Sequence, residues 1–144
     1  MKVKDIMTRD LTTVYETASI EELIDLLNKS ELSGVPVVND KGEVVGFISE
    51  RDVIEAALPD YFEMLRTAFY IPDINQLSRE LEEIEKQPVK EHMTTEVVSV
   101  TEDEEDLHVA DLIIRNGLNQ VPVIDEDGML AGLVRRIDLL EALL

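Results

Sequence analysis

Residues 3–58 of this chain lie over residues 89–144 without a gap, and no other feature constrains the fold as much. Val3-Lys4 meets Val89-Lys90, Met7-Thr8 meets Met93-Thr94, and Val14 meets Val100. Val35-Pro36-Val37 meets Val121-Pro122-Val123, while Gly42, Gly46 and Asp52 meet Gly128, Gly132 and Asp138. About a third of the aligned positions are identical, and about a third of the rest exchange apolar for apolar. The period is too long, and the copies too few, for a solenoid. The chain reads instead as two fused copies of one supersecondary unit.

The pattern within a unit predicts strand, helix, strand, strand, helix. Leu11-Thr12-Thr13-Val14 is a short β-rich run. Ser19-Ile20-Glu21-Glu22 has the form of a capping box, and Ile20, Leu23, Ile24 and Leu27 recur at helical spacing to about Glu31. Val35–Val38 and Val44–Ile48 read as antiparallel strands across the turn Asn39-Asp40-Lys41-Gly42, whose glycine supplies a positive φ. A helix over Glu50–Leu58 stops at Pro59. In the second copy Asp106–Asn116 is the first helix, with Gly117 as its C-terminal cap. One unit alone leaves an apolar sheet face uncovered. The expected class is therefore α/β (α+β): two tandem βαββα units packed through their sheets about a pseudo-twofold axis. The boundaries are 1–58 for the first unit, 59–88 for a helical insertion and 89–144 for the second unit.

The insertion Pro59–Pro88 does not have the composition of a flexible linker. Tyr61, Phe62, Phe69 and Tyr70 are most of the aromatic residues in a chain with 4% aromatics. Asp60–Tyr70 reads as one helix. Asp73-Ile74-Asn75-Gln76 starts another, with Ile74, Leu77, Leu81 and Ile84 as its apolar stripe. These helices either cover an edge of the module or form a partner or homodimer surface, since aromatic side chains are enriched in interface cores.

Bulk chemistry narrows the function. The net charge of -19 opposes nucleic-acid binding, which needs Lys and Arg to displace counterions from phosphates, and opposes docking to anionic lipid. No apolar run is long enough to span a membrane and no signal-peptide pattern opens the chain, so the expected location is cytoplasmic. With no cysteine, disulfides and thiolate chemistry are excluded. His92 and His108 lack ligand-like spacing and read as surface groups. The run Glu102-Asp103-Glu104-Glu105-Asp106 suits a solvated helix start rather than a metal site. No nucleophile–base pair or P-loop is visible, and neither catalysis nor a metal is expected.

The remaining candidate chemistry lies where the second hairpin strand delivers the chain to a helix N-terminus, gathering free N–H groups at one point. In Ser49-Glu50-Arg51-Asp52 an ionised Asp52 accepts hydrogen bonds and suits two ribose hydroxyls. Ser49 and the first-turn N–H groups suit a phosphate. The same four residues also make a serviceable helix cap. In the second copy Asp138 recurs but Arg135 stands where Ser49 stood, so the Asp recurs where the capping box does not. Arg51, Arg135 and Arg136 sit at the two helix starts, as candidate phosphate ligands or as surface groups paired with acids.

Two copies of Val-Pro-Val-Val/Ile, a Gly-ended turn, Gly-apolar-apolar-x-x-x-Asp and a leading Met-Thr resemble a cystathionine-β-synthase (CBS) domain pair, or Bateman module, of the stand-alone type. The resemblance covers both repeats and omits the insertion. It implies a regulatory, energy-sensing module that binds AMP, ADP or ATP, with Mg2+ as an accompanying ion, or S-adenosylmethionine, between its units. It also implies a homodimer and control of another protein in trans. Carried across by position, Phe47, Ser49, Arg51 and Asp52 would share one ligand with Val97, Val98, Asn119, Gln120 and Pro122. Leu133, Arg135 and Asp138 would share a second with Leu11, Thr12, Ser33, Gly34 and Pro36. Gly34 would let a base approach the backbone. The competing reading is an interaction or dimerisation module with vestigial sites.

Overall fold

The computed structural model describes residues 1–58 and 74–144. The expected helix over Asp60–Tyr70, its four aromatic residues and Asp73 lie outside the described residues. The elements are α1 (Val3–Ile6), β1 (Val14–Tyr15), α2 (Ile20–Ser30), β2 (Gly34–Val38), β3 (Val44–Ser49) and α3 (Glu50–Ala57). After them come α4 (Ile74–Ile84), a 3₁₀ turn (Val89–Glu91), α5 (Asp106–Asn116), β4 (Gln120–Ile124), β5 (Leu130–Arg135) and α6 (Arg136–Leu143). The chain is mixed α/β, with a three-stranded sheet in the order β1-β2-β3 and a two-stranded sheet β4-β5.

Local chemistry accounts for most boundaries. Ser19 Oγ accepts from Glu22 N and starts α2, although only this serine half of the expected capping box forms there. Leu23 and Leu27 are buried, as the periodicity requires. The helix ends on Glu31 in the left-handed region, φ 58°. In the second repeat the same position is Gly117, φ 60°. Gly42 takes φ 83° at the hairpin turn, the conformation that its place in the sequence demands. The first strand is shorter and later than Leu11–Val14. Asp10 Oδ1 accepts from Thr12 N at 2.9 Å and Thr12 Oγ1 at 2.6 Å, which turns the chain before it can pair. The corresponding strand of the second repeat is a single residue: Val100 N donates to Pro122 O and Val100 O accepts from Ile124 N.

The compact units do not coincide with the repeats, because the leading segments are exchanged between them. One unit is Met1–Thr13, Val38–Val45 and Glu96–Leu144; the other is Val14–Val37 and Gly46–Thr95. In the first, Val3 N and Lys4 N donate to the carbonyls of Glu104 and Glu102. Thr8 and Leu133 exchange two backbone bonds, at 2.8 and 3.0 Å. Met7 and Thr8 so crowd Gly132 that a Cβ there would collide with the Thr8 carbonyl. Val3, Ile6, Val100, Val109, Val121, Val123 and Val134 share one core.

The other unit repeats this arrangement. Val89 N and Lys90 N donate to the carbonyls of Ala18 and Glu16, and Thr94 and Phe47 exchange two bonds at 2.8 and 2.9 Å. Met93 lies against Gly46. In-phase Met7 and Met93 are thus unit-start packing, each on the repeat that did not supply it. Ile20, Leu23, Val35, Val37, Ile48 and Val89 are fully buried. His92 is half-buried and bonds Gln87 Oε1 at 2.6 Å, rather than lying free on the surface, because the 3₁₀ turn folds it back. His108 is exposed, 3.5 Å from Glu104.

Candidate functional site

The corner at the β3–α3 junction is fixed by its own backbone. Ser49 is the N-cap of α3, and Asp52 closes a reciprocal capping box. Ser49 N donates to Asp52 Oδ2 at 2.8 Å and Ser49 Oγ donates to the same oxygen at 3.1 Å, while Asp52 N donates to Ser49 Oγ at 3.4 Å. Both bonds that Asp52 accepts fall on Oδ2. Among the described residues nothing bonds Oδ1, and the side chain is half-exposed. The cap therefore orients the carboxylate without consuming it.

The helix start offers fewer N–H groups than the sequence suggests. Glu50 N is held by the Ser33 carbonyl at 2.8 Å and Asp52 N by Ser49 Oγ, so Arg51 N is what the first three positions leave for an anion. The cause is local: the chain entering β2 passes beside the end of β3. Gly34 is approached closely, as its missing side chain allows, but by the Phe47 ring: a Cβ there would lie 2.8 Å from Phe47 Cε1. Arg51 is exposed and its Nε pairs with Glu55 Oε1 at 2.8 Å, one helical turn on. Pro36 is buried in the sheet and Ser33 is exposed.

At the β5–α6 junction the geometry corrects one inference from the sequence. The carboxylate half of the capping box does recur: Arg135 N donates to Asp138 Oδ2 at 2.8 Å. Recurrence of the Asp is therefore accounted for by helix capping in both copies. Arg135 cannot accept as Ser49 does, and its guanidinium turns onto Asp138 instead: Nε to Oδ2 at 3.1 Å and Nη2 to Oδ1 at 2.9 Å. Asp138 is 6% exposed, the single buried charged side chain among the described residues. The bond to Asp138, joined by its charge and those of Glu141 and Asp10, raises the Arg135 pKa above its ordinary value. Arg136 N reaches the Asn119 carbonyl at 3.3 Å, and Arg136 Nε the Leu118 carbonyl at 2.7 Å.

The other residues expected at a site are placed as follows. Leu133 and Pro122 are buried and paired in register across β4 and β5. Leu11 and Asn119 are exposed; Thr12, Val97, Val98 and Gln120 are half-buried. Asp10 is the residue that sequence reasoning missed. Its bonds from the Thr12 side chain and backbone, and then the charge of Arg135, hold its carboxyl below the usual range. The Asp-x-Thr pattern of a side-chain-to-backbone turn was the available signal. Among the described residues no group of His, Asp and Glu is arranged to hold a metal, and no helix is long and apolar enough to cross a membrane.

The decisive comparison is with sequence families: the CBS domain profile matches residues 3–59 and 89–144. The chain belongs to the CBS domain family. An uncharacterized protein of Methanocaldococcus jannaschii is 34% identical over the whole chain and 92% of its own length. Among solved structures, the CBS domain of a CBS domain-containing membrane protein from Sphaerobacter thermophilus superposes with TM-score 0.74 at 26% identity. That match covers 100% of this chain and 88% of the other. The CBS domain pair of protein MJ0100, in complex with 5-methylthioadenosine and S-adenosyl-L-methionine, superposes with TM-score 0.71 at 25% identity, covering 99% and 95%. The repeats found by self-alignment are thus two CBS domains, each with a Ser/Arg-x-x-Asp corner at the start of its last helix.

Proposed function

We propose that this CBS pair is a non-catalytic sensor of adenosine-containing ligands, with AMP, ADP, ATP and S-adenosylmethionine as the candidate set, and that it controls another protein in trans. The observation that carries the reading is the Ser49–Asp52 corner. Its carboxylate is held by two bonds on one oxygen, while the other is open to the hydroxyls of a ribose. Hydrogen bonds to a charged acceptor contribute about 1.5–3 kcal/mol each. The ligands bound to protein MJ0100 both contain adenosine, which supports this class. The Arg51 N–H and guanidinium serve the phosphates, with Mg2+ accompanying ATP. A ligand regulates by binding two conformations with unequal affinity, and AMP and ATP differ at the phosphate end.

Calorimetric titration with the four ligands tests the reading. Binding is expected for at least one, and saturation at a hundred times Kd adds about 2.7 kcal/mol of stability. Asp52→Ala should abolish binding while the protein still melts cooperatively. No heat from any of the four at millimolar concentration sinks the proposal.

Homodimerisation is part of the same reading. The packed pair α5 and α6 exposes Leu107, Ile114, Ile137 and Leu140, where the first repeat carries Glu21, Asn28, Arg51 and Ile54. Asp111, one turn on from Leu107, is paired with Arg115 at 2.8 Å, and these four apolar side chains are the area that two copies would bury.

A further inference from the structure

The two Ser/Arg-x-x-Asp corners share a backbone and differ in what occupies the carboxylate. Asp52 accepts on Oδ2 alone. Asp138 accepts on both oxygens: the Arg135 backbone N–H and Nε on Oδ2, and Nη2 on Oδ1. The contrast follows from one substitution. A serine at the cap donates a single hydroxyl, whereas an arginine brings a planar fork matched to a carboxylate.

A ribose must present its hydroxyls to an oxygen with accepting capacity to spare. Asp138 Oδ2 is filled by two donors and Oδ1 holds one, so a ribose presenting both hydroxyls would have to displace a charge-assisted bond with one from a neutral hydroxyl. Asp138 is 6% exposed and so offers a ligand little surface, while its guanidinium partner is 47% exposed. Asp10 and Glu141 add negative charge around Arg135. The chain thus supplies from its own sequence the donors that a ligand would bring.

We propose that Arg135 is a built-in occupant of the second corner: it closes Asp138 to ribose, so each chain takes one adenosine ligand, at Ser49–Asp52. The inference rests on the ligand class proposed above, and it makes Arg135 the residue that sets stoichiometry.

Titration calorimetry of the full chain with AMP, and separately with 5-methylthioadenosine, tests it. The wild type is expected to take one ligand per chain. Arg135→Ser, which rebuilds the cap present at Ser49, should take two. Ser49→Arg should take none, and the double exchange one. Thermal melts establish that each variant is folded; if Ser49→Arg is not, Arg135→Ser alone decides. Two ligands on the wild type overturn the closure, as does wild-type binding that survives Asp52→Ala, or a single ligand on Arg135→Ser. Two AMP but one methylthioadenosine on the wild type also overturn it, because a phosphate would then be drawing Arg135 away. If the wild type binds neither probe and Arg135→Ser binds one, the closure stands and the Ser49–Asp52 reading falls. If neither protein binds either probe, both fall.

Discussion

Single carboxylates decide much of this protein's chemistry, and their neighbours decide what each can do. Asp10 is the clearest case. Its bonds from Thr12 and the nearby charge of Arg135 favour the ionised form, so its pKa is lower folded than unfolded. A carboxylate of that kind stabilises the fold at pH values above its unfolded pKa, and the contribution disappears as pH falls through the folded one. Asp10→Asn should therefore lower the melting temperature at neutral pH. The difference from wild type should shrink as the pH drops below about 4. Melting curves between pH 7 and 3 check this, and a gap that widens in acid would refute it. Arg135 is a partner in the effect as well as the occupant of Asp138, so the turn at Asp10 and the second corner are coupled.

At the scale of elements, the two repeats serve as controls for each other. Helix α2 ends on Glu31 at φ 58°, where α5 ends on Gly117 at φ 60°. A non-glycine residue pays about 1–2 kcal/mol for that conformation, and glycine returns part of it through the entropy of its unfolded chain. Glu31→Gly is accordingly expected to stabilise the protein by about 0.5–1 kcal/mol, read from urea unfolding. A loss of stability would show that the Glu31 side chain does something that its backbone cost conceals. Most elements were legible in sequence because their signals are local. The bounds of α5 came from its periodicity and from Gly117, and the hairpin from Gly42 between two valine-rich runs. Strand β1 was misplaced because the Asp10–Thr12 turn competes with β propensity at Leu11–Thr13. The Ser49–Asp52 corner was legible as a motif. Its open oxygen was not, since which oxygen a cap uses is a matter of side-chain torsion. The exchange of leading segments was illegible for a different reason. Met7-Thr8 and Met93-Thr94 are identical, and so are the glycines that receive them, Gly132 and Gly46. A pattern that fits both partners equally cannot say which it chooses.

For the whole molecule, charge and apolar surface oppose each other. A net charge of -19 keeps copies apart, and the exposed apolar side chains of α5 and α6 are the proposed surface whose burial offsets that repulsion. The proposed dimer predicts a twofold drop in mass for Leu140→Glu, measured by light scattering on the eluting peak, with the melting temperature little changed at the monomer's exposed position. An unaltered mass would move the interface elsewhere, and a monomeric wild type would remove it. Leu140 is 58% exposed, so the substitution costs little inside the monomer.

The exchanged leading segments also set an order of assembly during synthesis. Residues 1–13 are made before residues 96–144, yet their compact unit needs both. At 5–20 residues per second, the first part waits on the order of 5–25 s for the last. Val3 and Ile6, which end in the core, spend that interval without their partners Val109 and Val121. The unit built from Val14–Val37 and Gly46–Thr95 has all its pieces sooner. The nascent chain can thus complete one compact unit while Val3 and Ile6 still await their partners, the interval in which a chaperone would have most to hold.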